Sequence, residues 1–118
     1  MEYKKFGNTL IVRLDRGEEV VDRLLELARR EHITLASVNG RGAADDVTVG
    51  VYFPATQEDQ PYGHFHMSIG DQEGRVFGGH LNRAVISATC ELVVTLLEGR
   101  VERRMDPEIG LNLMAFEA

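Results

Sequence analysis

Hydrophobic and polar positions change period several times along the chain, and each change predicts an element. Thr9-Leu10-Ile11-Val12-Arg13-Leu14 is short, branched and apolar, which predicts a strand. Asp15-Arg16-Gly17 follows as a turn that can also cap the next element. From Glu18 to Arg30 the period becomes helical. Val20, Val21, Leu24, Leu25 and Ala28 recur on one stripe, with Glu18, Glu19, Asp22, Arg23, Glu26, Arg29 and Arg30 between them. Acidic residues lead this helix and arginines close it, which suits the helix macrodipole.

Ile33 to Val38 predicts a second strand, ended by the turn signal Asn39-Gly40-Arg41-Gly42. Val47-Thr48-Val49-Gly50-Val51-Tyr52 predicts a third. Pro54 to Gly63 is polar, holds two of the three prolines and reads as a loop. His64-Phe65-His66-Met67-Ser68-Ile69 alternates with period two. With the turn Gly70 to Gly74 and the short strand Arg75-Val76-Phe77 it predicts a hairpin. Val85 to Leu97 is rich in Val, Ile and Thr and reads as a strand by composition, while its length and Glu91 leave a helix open. Val101 to Arg104 and Leu111 to Phe116 are the last expected strands. Many strands with one clear helix imply an α+β fold, mainly antiparallel, forming a single domain over residues 1–118.

Composition narrows the class. A chain of 118 residues suits one domain and can bury about two-thirds of its unfolded surface. Thirteen Lys plus Arg against nineteen Asp plus Glu give a formal charge of −6. That argues against a chain-wide grip on nucleic acid, which runs on clustered cations, though it leaves room for a local basic patch. Arg100, Arg103 and Arg104 cluster, but Glu98, Glu102 and Asp106 interleave with them, so a solvated strand is expected there. The single cysteine, Cys90, excludes an internal disulfide framework. It sits in an apolar run, where a buried inert thiol is the default. No apolar run approaches the roughly 20 residues that span a bilayer, and no signal core follows the first residues. The expectation is a cytoplasmic protein with no membrane partner.

The histidines carry the candidate chemistry. His64 and His66 lie two apart in a predicted strand, so both imidazoles leave the same face with Cα atoms about 6.5–7 Å apart. His80 follows Gly78-Gly79 just after the neighbouring strand, where the hairpin return can bring it alongside. Three converging imidazoles are the donor set of a zinc site with an open fourth position. The alternative is three ordinary polar residues on a half-buried strand. Gly78-Gly79 reads either as a turn with positive φ or as a close backbone approach to a ligand or a neighbouring subunit. Asn39-Gly40-Arg41-Gly42 lacks the Lys-Ser/Thr ending of a phosphate loop and the spacing of a dinucleotide fingerprint, although Arg41 could still face a substrate. No catalytic residue is assigned.

Several of these stretches together resemble the plants and prokaryotes conserved domain. Ile33 to Ala43 followed by Val47-Thr48-Val49-Gly50 is similar to its first signature. His64-Phe65-His66-Met67-Ser68, then Gly74 to Leu81, then the Val85 to Leu97 strand follow its second half in order, and Arg13 to Glu19 fits its approach to the helix. The stretch from Pro54 to Gly63 is shorter than in the family. The resemblance implies a strongly bent antiparallel sheet with a flanking helix, assembled as a homotrimer. It also implies that His64, His66 and His80 ligate Zn2+. Plant members of the family stand beside AT-hooks in DNA-binding proteins, so DNA binding is implied by the family. Gly40-Arg41-Gly42 lacks the proline and basic flanks of such a hook, and the charge of −6 is unfavourable.

The expected function is therefore a small, oligomeric, metal-binding protein of regulatory or accessory type. One alternative is a zinc-dependent enzyme, since the three-histidine set resembles that of acetolactate decarboxylase, with Arg41 or Glu91 as helpers. A cupin is a remoter one, because Asp71 would stand where that motif carries Glu.

Overall fold

Alternation along β2 (Thr9–Asp15) places the centre of the fold. Leu10, Val12 and Leu14 are fully buried, and Ile11 and Arg13 face outward. The structure, a computed structural model, describes residues 1–50 and 62–116. β1 (Glu2–Phe6) pairs antiparallel with β2 from Glu2–Arg13 to Phe6–Thr9. The sequence pattern does not announce β1, whose residues are mostly polar. It forms because Gly7, at φ 61°, is the first of two loop residues of a hairpin, where a positive φ is required.

The helix α1 (Val20–Arg30) buries Val20, Leu24 and Leu27. Its cap is Glu19 rather than the Asp15 turn. The Glu19 carboxylate accepts from the N–H groups of Val21 (3.0 Å) and Asp22 (3.1 Å), and from Ala84 N–H (3.0 Å). The expected cap is displaced because Gly17 and Glu18 form a backbone ladder with Ile86 (2.8 and 2.9 Å). The last turn closes in a Schellman arrangement. Ile33 N–H reaches the Ala28 carbonyl at 2.9 Å and His32 sits in the left-handed region at φ 51°. His32 is thus a helix-ending residue.

The main sheet has five strands in the order β1-β2-β5-β3, with β4 also on β5, and every pairing is antiparallel. β3 (Ala36–Gly50) runs 15 residues and β5 (Val76–Leu96) runs 21. One expected turn, and one of the two readings of Gly78-Gly79, are therefore set aside. Asn39-Gly40-Arg41-Gly42 lies inside β3, and Gly78-Gly79 lies inside β5. The β3 glycines serve close approach, because a Cβ on Gly40 or Gly42 would run into the backbone carbonyls of Glu91 or Thr89. The expected strand from Ile33 starts only at Ala36. The one expected from Val47 is the end of β3; its Val51 and Tyr52, and the expected loop from Pro54 through residue 61, lie outside the described residues. Three register shifts between β3 and β5, from Gly42 to Val49, bend and twist the long strand.

The Val85 to Leu97 run is strand, not helix. Cys90 is buried within it, and burial, with Glu91 beside it, raises its thiol above the ordinary range. β4 (His66–Gly70) and β5 form the expected hairpin, with Asp71 holding the turn through both Arg75 and the Glu73 N–H. β6 (Glu102–Asp106) and β7 (Leu111–Ala115) form a separate two-stranded sheet. Met105, Ile109, Met114 and Phe116 on this hairpin are exposed. A groove of about 570 Å³ opens between β3, β4 and α1, lined among others by Leu24, Val38, Phe65 and Met67. No helix of the described residues is long and apolar enough to cross a membrane.

Candidate metal centre

β4 and the residues before it present opposite chemistries on their two faces. Phe65 and Met67 pack against the core, which leaves His64 and His66 on the outer face. The third imidazole arrives by register. Leu81 N–H donates to the Phe65 carbonyl at 2.8 Å, and His66 stands opposite His80 at the next position. That makes His66–His80 a non-hydrogen-bonded pair, in which opposed side chains come closest, at about 4.5 Å between Cα atoms. Gly79, at φ 154°, gives β5 the backbone it needs immediately before His80. His80 comes alongside by cross-strand pairing and not by a turn. On its other flank it faces Gly50 of β3, which has no side chain to crowd it.

The three rings form a tripod. Their centroids are 5.2 Å apart for His64–His66, 5.3 Å for His64–His80 and 5.7 Å for His66–His80. One nitrogen from each lies within 4.8 Å of the others, and Nε2 of His64 and His66 are 3.3 Å apart. His64 and His66 are exposed and His80 is half-buried, so the tripod opens outward. Partial desolvation, then the positive charge of Arg103, then the other two imidazoles, push the His64 pKa below its ordinary value. Each influence disfavours the imidazolium, and the neutral ring is the form that ligates a metal. The donor set therefore fits a borderline divalent ion such as zinc.

Other residues singled out in the sequence lie elsewhere. Arg41 pairs in register with Glu91, eleven residues beyond His80 along β5, on the order of 30 Å of strand. Asp71 is committed to its turn with Arg75 at 2.7 Å, so the cupin-like reading has no carboxylate to use. Sequence reasoning missed Arg103. Its guanidinium lies 4.8 Å above the Tyr62 ring, and Tyr62 is two residues before His64. The arginine cluster was the only signal, and nothing in it distinguishes Arg103 from its neighbours.

Comparison with known proteins agrees with this architecture. The sequence profile of the Plants and Prokaryotes Conserved (PCC) domain matches residues 1–60 and 49–98. A crystal structure from Bacteroides thetaiotaomicron, of a protein provisionally named as DNA-binding, is 27% identical with a TM-score of 0.90. The match covers 99% of this chain and 98% of that one. A protein from Ralstonia eutropha JMP134 with the same provisional name is 29% identical with a TM-score of 0.88, covering 98% and 96%. A plant- and prokaryote-conserved protein from Pyrococcus horikoshii shares the fold at 24% identity and a TM-score of 0.77, covering 99% and 96%. No curated protein matches the chain.

Proposed function

We propose that this chain, which belongs to the Plants and Prokaryotes Conserved domain family, is a metal-binding module that holds one divalent transition ion, foremost zinc, on His64, His66 and His80. The observation that carries this reading is the convergence of three imidazole nitrogens within 4.8 Å on one outer face. When bound, the ion would supply an open coordination position toward solvent. The chain's own contribution is to bring three imidazoles together beside a paired hairpin, which lowers the entropy lost on binding.

The module is proposed to act as a homotrimer with a regulatory or accessory role. Support for self-association comes from the β6–β7 hairpin, where Met114 is 57% and Phe116 78% exposed, since exposed apolar groups that lie together mark interaction surfaces. The names of the two nearer-identity structures above support a role at DNA. The acidic chain makes that role a local contact or one shared with a partner, in place of a broad electrostatic grip. The zinc-lyase alternative gains no support from the comparisons.

Elemental analysis of purified protein, combined with its native mass, tests the reading. One zinc per chain in a particle of three chains is the expected result. A metal-free 13.2 kDa particle that takes up no added zinc would contradict it.

A further inference from the structure

Resting on the metal site just proposed, we infer that the tripod face is also the binding site of a small carboxylate, gripped by the guanidinium of Arg103. Arg103 is half-buried on β6 and held in place by two contacts. Its Cζ lies 4.8 Å from the centre of the Tyr62 ring, and Nη1 donates to the Asn112 carbonyl at 3.1 Å. Among the described residues it has no carboxylate partner. Arg13, Arg23, Arg30, Arg75, Arg83 and Arg100 all do. The edge formed by Nε and Nη2 is left for something else.

Position gives that edge its meaning. Arg103 lies over Tyr62, which stands two residues before His64, and its charge bears on that imidazole. A fixed cation beside a site built for a second cation is unfavourable by itself, because like charges at short range repel. An anion seated between them reverses the sign of both interactions. The guanidinium fork matches the two oxygens of a carboxylate, and charge-assisted bonds of this kind are about twice as strong as neutral ones. The cation–π contact with Tyr62 and the bond to Asn112 restrain the side chain before binding, so less freedom remains to be lost. One arginine edge balances one negative charge, which suits a monocarboxylate better than a phosphate dianion.

The test uses cobalt-loaded full-length protein and sodium acetate as the probe, read by the visible absorption of the bound cobalt at constant ionic strength. Acetate should change the spectrum saturably in the wild type. Arg103→Gln should load cobalt with unchanged stoichiometry and bind acetate about tenfold or more weakly, as loss of a charge-assisted pair requires. Should the glutamine variant fail to fold, Arg103→Lys, which keeps the charge and lacks the fork, should still show weakened acetate binding. If cobalt loads normally and acetate binds equally well to the variants, the carboxylate site is wrong while the metal site stands. A response to phosphate with none to acetate likewise overturns it. Failure of the wild type to load cobalt overturns both.

Discussion

His66 and His80 face each other directly across β4 and β5, in the closer of the two alternating antiparallel positions, and His64 lies one side-chain period back on the same face. The tripod is thus a consequence of pairing register. Slipping the hairpin by one residue would send His66 to the opposite side of the sheet from His80. What holds the register deserves testing as much as the ligands do.

The turn at Asp71 is one such element. The Arg75 N–H and guanidinium, with a smaller contribution from the Glu73 N–H, hold the Asp71 carboxyl below the usual carboxylate range against the opposing effect of desolvation. A carboxyl depressed in the folded state stabilises above its unfolded value, about 3.9, and loses that contribution as pH falls through its folded value. Asp71→Asn should therefore be less stable than wild type at neutral pH, with the difference vanishing in acid below about pH 4. Urea unfolding at several pH values checks this, and a pH-independent difference would contradict it.

Close approach of β3 to β5 gives a second prediction. A side chain at Gly42 meets the Thr89 carbonyl and the Cys90 backbone, neither of which can rotate away. Gly42→Val should cost about 1–3 kcal/mol, the range for overpacking, measured as a lower urea midpoint. The change is remote from the histidines, so zinc uptake by the folded fraction should persist.

Acid should expel the metal, because each imidazole must be neutral to ligate. His64 keeps its neutral form to lower pH than an ordinary imidazole, whose pKa is about 6.5. In metal-free protein, NMR titration should place His64 below that value. Zinc release, followed with a chromogenic chelator, should occur at and below it. Retention of zinc through pH 4 would be inconsistent with a three-imidazole shell.

What a residue does in the fold decides how legible it is in the sequence. Period-two alternation from His64 to Ile69 located the hairpin, and helical spacing from Val20 to Ala28 located α1, because those patterns record burial directly. Histidines two apart and a third across a hairpin were legible for the same reason. Gly40 and Gly42 misled, since glycine signals a turn and close packing alike and only the neighbouring Glu91 and Thr89 carbonyls decide which. β1 was invisible because a polar edge strand is specified by its partner β2 and by Gly7. Arg103 was illegible because its position over Tyr62 depends on where a separate hairpin comes to rest, which no local pattern encodes.

The central claim is that His64, His66 and His80 together bind one ion, and zinc titration by calorimetry at neutral pH tests it most directly. The wild type should bind one zinc per chain. His66→Ala should bind it at least tenfold more weakly while keeping the wild-type circular dichroism spectrum, because removing an exposed imidazole leaves the buried set around Leu10, Val12 and Leu14 untouched. Equal zinc affinity in the wild type and a folded His66→Ala variant, or no heat of binding in either, would contradict the account.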